Sequence, residues 1–383
     1  MNSESKLRRL AEIAVLFLRF GLIAFGGPAA HIALLEDEFV SRRAWMARQR
    51  FLDLMGATNL IPGPNSTEMT MHLGYERGGF PGLFVAGMGF IVPAALITGA
   101  LAWVYVEFGA LPAFEPVLAG VRPAVLVIIL GAVWKLGRKA VTDWRLAAVA
   151  ACVALAVWSG LGEVPAILLG GALGGLCLQL PRVLKGVFTA LIALGLAAPA
   201  ANAAAEGADI GRLGLFFLKV GSVLYGSGYV LVAFLEGGLV DGYGWVTRQQ
   251  LLDAIAVGQF TPGPVLTTAT FLGFLVAGPP GAAVATVGIF LPAFGFVWIL
   301  NPLVSRLRAS PWTAAFLDAI NASAVGLMAV VAIGLGQATL SSWPAWLIAG
   351  CSAIALFAVR WPAAWVVVAG GVLGWLLLFA GWL

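Results

Sequence analysis

Two short stretches of this chain carry the residue types needed to hold an anion. Pro62-Gly63-Pro64 runs directly into Asn65, Ser66, Thr67 and Glu68, and Pro262-Gly263-Pro264 runs into Val265, Leu266, Thr267 and Thr268. Proline removes a backbone donor and glycine frees the backbone, so each Pro-Gly-Pro should interrupt a helix. A helix restarting behind the interruption turns unpaired N–H groups, and about half a positive charge, back toward it. Those amides and the neighbouring hydroxyls suit a tetrahedral oxyanion, which presents only acceptors. A second pair of interruptions lies upstream, at Gly26-Gly27-Pro28 and Gly226-Ser227-Gly228. The candidate anion-binding set is therefore Gly26, Gly27, Gly63, Asn65, Ser66 and Thr67, facing Gly226, Gly228, Gly263, Thr267 and Thr268. The plainer alternative is that these glycines and prolines only shape packed helices.

Three cations stand inside apolar stretches. Arg19 and Lys219 are one of them repeated, and Arg122 has no basic twin. A charge at a bilayer centre costs roughly 2.5–3.5 kcal/mol on insertion scales, so each is a candidate for binding a divalent anion. Arg19 and Lys219 could instead snorkel to an interface, and Arg122 could serve a carboxylate. Asp53 and Asp253 recur at equivalent places, where they could relay protons or hold Arg48 and Arg248; the ion-pair reading is the simpler. Glu36 and Glu236 also recur and should brace the same loops. Glu68 sits just past the break and is Thr268 in the other stretch. It, with Asp53, Asp253 and His31, completes the candidates for ion coupling, His31 because imidazole titrates near neutral pH.

The elements that would position these residues are written twice, 200 residues apart. Phe17-Leu18-Arg19 returns as Phe217-Leu218-Lys219, Trp45, Arg48, Gln49, Leu52 and Asp53 as Trp245, Arg248, Gln249, Leu252 and Asp253. The chain is 61% hydrophobic and 10% charged, against roughly 25% charged in a soluble domain. Its long uncharged runs match the ~20 apolar residues that cross a bilayer. The expected fold is an all-α polytopic membrane protein. Segments fall at about 10–34, 51–76, 79–106, 116–134, 146–162 and 164–180, then 212–235, 251–277, 279–304, 313–338, 343–359 and 361–382, with an unpaired one at about 186–201. That divides the chain into a first repeat (1–182), a connecting transmembrane helix with its linker (183–210) and a second repeat (211–383).

The loop charges differ between the copies. Arg42, Arg43, Arg48 and Arg50 crowd one hairpin loop, whereas its counterpart, 236–253, holds Arg248 alone. The acidic loop 107–115 corresponds to Arg306 and Arg308, and the basic stretch 135–145 to Leu340-Ser341-Ser342. Because Lys and Arg favour the cytoplasmic side, the copies should be inserted with opposite orientation, the N-terminus cytoplasmic and the C-terminus outside. The first two segments of each copy then become broken, re-entrant helical hairpins. Inverted repeats with discontinuous helices are a transporter signature.

Other classes lose support. A net charge of +4 follows from basic cytoplasmic loops and not from a nucleic-acid surface. Cys152, Cys177 and Cys351 lie scattered in apolar runs and His31 and His72 are the only histidines, so neither a metal site, a redox cofactor nor a catalytic residue is expected. Arg19 punctures the first apolar run and no cleavage site follows, which disfavours a removable signal. The partners expected are the anion and the lipid bilayer, with a homodimer compatible.

Phe25-Gly26-Gly27-Pro28-Ala29-Ala30-His31-Ile32-Ala33, Leu60-Ile61-Pro62-Gly63-Pro64-Asn65-Ser66-Thr67 and Gly74-Tyr75 resemble the chromate transporter family. Tyr225-Gly226-Ser227-Gly228-Tyr229 and Gln259-Phe260-Thr261-Pro262-Gly263-Pro264 resemble the same family's second domain. The resemblance implies a long-chain, two-domain member that carries chromate, and by extension sulfate, across the inner membrane. An oxyanion channel, or a carrier of another anion on the same architecture, is the alternative.

Overall fold

The computed structural model describes residues 3–109, 111, 114–179, 209–225, 228–301 and 310–380. The expected connecting segment 186–201, most of its linker, Gly226, Ser227, Arg306 and Arg308 lie outside the described residues. What is described is helix and turn, with no strand among those residues. In chain order the helices are α1 Ser3–Ile23, α2 Pro28–Glu36, α3 Arg48–Thr58, α4 Asn65–Phe108, α5 Glu115–Ala140, α6 Trp144–Trp158 and α7 Glu163–Gln179. There follow α8 Ile210–Val223, α9 Leu231–Leu235, α10 Arg248–Phe260, α11 Thr268–Leu300, α12 Pro311–Thr339, α13 Trp343–Ala353 and α14 Ala363–Phe379.

Four of these, Asn65–Phe108, Glu115–Ala140, Val265–Ile299 (α11 with the turn before it) and Pro311–Thr339, are long and apolar enough to cross a membrane. Exposed tryptophans stand at helix ends, with Trp144 and Trp158 at the two ends of α6, as in the aromatic belts of membrane interfaces. Together these features make a polytopic helical membrane protein.

Two of the long helices are not straight. Gly79 in α4 (φ 65°) and Gly278 in α11 (φ 62°) take left-handed backbone, and the chain reverses there. Gly74 meets Gly82 and Ala86 across the first reversal, and Gly273 meets Gly281 and Ala285 across the second; residues eight apart on a straight helix would be about 12 Å distant. Segments two and three of each copy are thus joined by a tight turn and not a loop. The fourth segment also runs further than its apolar stretch. Lys135, Arg138 and Lys139 stand in the last turns of α5, where cations favour the helix C-terminus.

The described residues form two compact units, and each draws on both halves of the sequence. One lies within Met1–Val104, Asp209–Gly228 and Val257–Ala309, the other within Tyr105–Ala208, Tyr229–Ala256 and Ser310–Leu383. In the first unit, a core of Ile13, Phe17, Phe39, Phe51, Leu54 and Phe90 is fully buried, with Phe17 and Phe39 stacked at 5.0 Å. The first helix of each copy lies close on the helix behind the reversal. A Cβ on Gly21 would stand 2.8 Å from the Gly89 and Phe90 carbonyls, and one on Gly221 would strike Ile289. The second unit uses the same device: Gly120 of α5 meets Gly370 and Gly374 of α14, and Gly170 and Gly174 of α7 meet Ser323 and Ala319 of α12. With no water to drive association in lipid, such close backbone approach is what holds helices together.

Candidate functional site

The four helix interruptions meet inside the first unit. α1 and α8 both stop short, leaving C-terminal carbonyls without intrahelical partners. The Pro-Gly-Pro turn of the opposite copy supplies the missing donors: Gly63 N–H bonds the Leu224 carbonyl at 2.7 Å, and Gly263 N–H bonds the Ala24 carbonyl at 2.8 Å. The exchange is reciprocal, so each copy completes the other. Both glycines have backbone that disfavours a side chain, φ 144° at Gly63 and 87° at Gly263. A Cβ on Gly63 would collide with the Glu68 carboxyl, and one on Gly263 would lie 2.6 Å from the Ala94 methyl.

The side chains behind the turns differ between the copies. Thr267 and Thr268 donate their hydroxyls to the Pro264 and Val265 carbonyls at 2.9 and 2.8 Å, tightening the second turn. In the first copy Ser66, Thr67 and Glu68 are buried. Among the described residues nothing hydrogen-bonds Thr67 Oγ1 or either oxygen of Glu68. Asn65 donates to Asn59 Oδ1 at 2.9 Å. His31 is fully buried and its Nε2 lies 3.1 Å from the Ala24 carbonyl; a carbonyl can only accept, so Nε2 carries the proton. Nδ1 has no described partner, and neither has the buried Thr261 hydroxyl. Gly27 caps α2, Gly26 is exposed at φ 108°, and Gly228 is buried beside Leu266. Thr261 was not singled out from sequence, although it directly precedes the repeated motif.

The cations go elsewhere. Arg19 and Lys219 are both exposed and form no ion pair among the described residues. Arg122 belongs to the second unit. Its Nε and Nη2 each reach one oxygen of Asp253 at 3.0 Å, and the Tyr105 hydroxyl adds a bond to Oδ2 at 2.8 Å. Asp253 is 1% exposed. It therefore holds Arg122 and not Arg248, which corrects the simpler ion-pair reading. Arg248 instead bonds Glu236 at 2.9 Å and Asp241 at 2.7 Å. Burial raises the Glu236 carboxyl above its ordinary value, and the Arg248 bond offsets part of that. The same brace recurs as Arg48 to Glu36 at 2.9 Å; Asp53, in the place of Asp253, has the Gln49 amide at 3.4 Å. Tyr105 had no sequence signal, because its partner lies 148 residues away.

A helical membrane protein whose discontinuous helices cross at paired glycine turns is built as a transporter. The chromate transporter family model matches residues 11–176 and again 211–375, and the chain belongs to that family. A probable chromate transport protein of Synechococcus elongatus is 33% identical over 88% of each chain. The chromate transport protein of Cupriavidus metallidurans is 32% identical over 95% of this chain and 92% of its own. That of Pseudomonas aeruginosa is 34% identical over 94% and 91%. These relatives bear the names of transport proteins, not of enzymes. No solved structure matches the chain.

Proposed function

We propose that the chain exports a divalent oxyanion, chromate or its sulfate-like analogues, across the inner membrane by alternating access. The two repeats lie inverted, and the anion binds at the crossing of their broken helices. The observation that carries this reading is the reciprocal pair of bonds, Gly63 to Leu224 and Gly263 to Ala24, which makes the two copies partners around one point. The half-helices support re-entrant hairpins: α3 has 11 residues and the part of α4 before Gly79 is about 20 Å long, against the ~30 Å of a bilayer core. Gly26, Gly27, Gly63, Asn65, Ser66 and Thr67 meet the anion from one copy, and Gly226, Gly228, Gly263, Thr267 and Thr268 from the other. Arg19 and Lys219 attract it toward the mouths of the path. Glu68, buried beside Gly63, is the coupling carboxyl, ahead of Asp53, Asp253 and His31.

A dianion leaving a negative interior gains roughly 4.6 kcal/mol per 100 mV, enough for a gradient above about a thousandfold. Membrane potential alone is thus sufficient, and a proton on Glu68 would modulate it. Chromate and sulfate flux into proteoliposomes should follow an imposed potential at fixed pH. Glu68→Gln should keep that response while flattening the dependence on a pH step. Flux that ignores potential and tracks only pH would overturn the potential-driven reading, and single-channel currents would overturn alternating access.

A further inference from the structure

The second unit contains a small polar cavity of about 200 Å³ that takes no part in the helix crossing. It lies at the turn between α12 and α13 and is walled by Arg122, Arg248, Gln249, Thr339, Ser341 and Ser342 among its polar residues. We infer that this cavity is a second, weak binding site for a tetrahedral oxyanion, distinct from the helix crossing. It rests on the transport reading above for its ligand class.

The walls argue for an anion. The carboxylates nearby do not line the cavity. Each is bonded to an arginine that does, Asp253 to Arg122 and Glu236 and Asp241 to Arg248. Those bonds use Nε and Nη2 of both guanidiniums and fix their planes, leaving Nη1 of each outside the pairs. Ser342 is the N-cap of α13 and its hydroxyl makes no capping bond, so that hydroxyl is left for the cavity it lines. The buried hydroxyl of Thr339 likewise has no described partner. Two guanidinium edges, three hydroxyls and an amide form a mostly donor-lined wall, which suits a ligand made of acceptors.

The same geometry limits affinity. Three carboxylates offset two arginines, and the carbonyl end of α12 borders the cavity. Selectivity therefore comes from directed hydrogen bonds and not from a strong field. Binding on the order of millimolar is what so weak a field allows.

Hydrogen exchange on the wild-type protein in lipid nanodiscs tests this, comparing sodium sulfate with sodium chloride at equal ionic strength. With sulfate at twice its dissociation constant, exchange at Ser341, Ser342 and Trp343 should slow about threefold. The slowing should vanish in the double variant Ser341→Ala, Ser342→Ala and persist in Gly63→Ala, which disables the helix crossing. Equal exchange in the two salts would overturn the site. So would protection that survives the serine changes, or that disappears with Gly63→Ala, since the effect would then originate at the crossing. Protection without any sulfate flux would keep the site and remove only the transport reading.

Discussion

Gly63→Ala is expected to lower oxyanion flux at least about tenfold while the protein still inserts into the membrane. A side chain at φ 144° costs on the order of 1–3 kcal/mol in backbone strain. The methyl must also displace the Glu68 carboxyl, and any retreat of the turn breaks the Leu224 bond. A buried carbonyl left without its donor costs about 1–3 kcal/mol more. Gly263→Ala should behave alike, because Ala94 stands where its methyl would go. Gly160→Ala is the control: it too has positive φ, 106°, but a Cβ there meets nothing within 4 Å. Flux per inserted protein in proteoliposomes, with thermal unfolding in detergent, separates the two effects. Gly160→Ala should lose some stability and keep full flux; equal losses of flux in all three would show strain alone at work.

Arg122→Ala should be the most destabilising of the single charge removals. It leaves Asp253, whose side chain has no exposed surface, with only the Tyr105 hydroxyl. Breaking a buried pair by removing one partner costs about 3–5 kcal/mol, and the lower end applies because the Arg122 side chain is 23% exposed. Adding Asp253→Asn removes the orphaned charge, so the double variant should be more stable than Arg122→Ala alone. Arg48→Ala, which loses an exposed bond to Glu36, should cost no more than about 1 kcal/mol. Unfolding midpoints of the wild type, Arg122→Ala, Asp253→Asn and the double variant complete the cycle. A double variant as unstable as the sum of its parts would mean that Arg122 and Asp253 do not depend on each other.

Much of this arrangement was legible in the sequence because it rests on backbone. Glycine and proline breaks recur at a fixed offset, and those residues act through dihedral angles and missing donors, which a sequence displays directly. The glycine turns and the apolar helices belong to that category. Side chains whose partners sit far along the chain were harder to assign. Nothing local says that Asp253 meets Arg122, 131 residues away, when Arg248 lies only five residues before it in the same helix. Tyr105 is invisible for the same reason. The folding back at Gly79 and Gly278 is hidden by apolar runs that continue through them. The mixing of both copies in the first unit goes with the reciprocal turn bonds, which a repeat alignment cannot reveal.

The inverted insertion of the two repeats is the claim on which the rest stands. It is tested most directly at Ala47 and Thr247, exposed residues at equivalent places before α3 and α10. Each is replaced singly by cysteine in a protein with Cys152, Cys177 and Cys351 changed to alanine, and probed in intact cells with a membrane-impermeant thiol reagent. Inverted insertion predicts labelling of Thr247→Cys from outside, and of Ala47→Cys only after the membrane is opened. Labelling of both from the same side would contradict it.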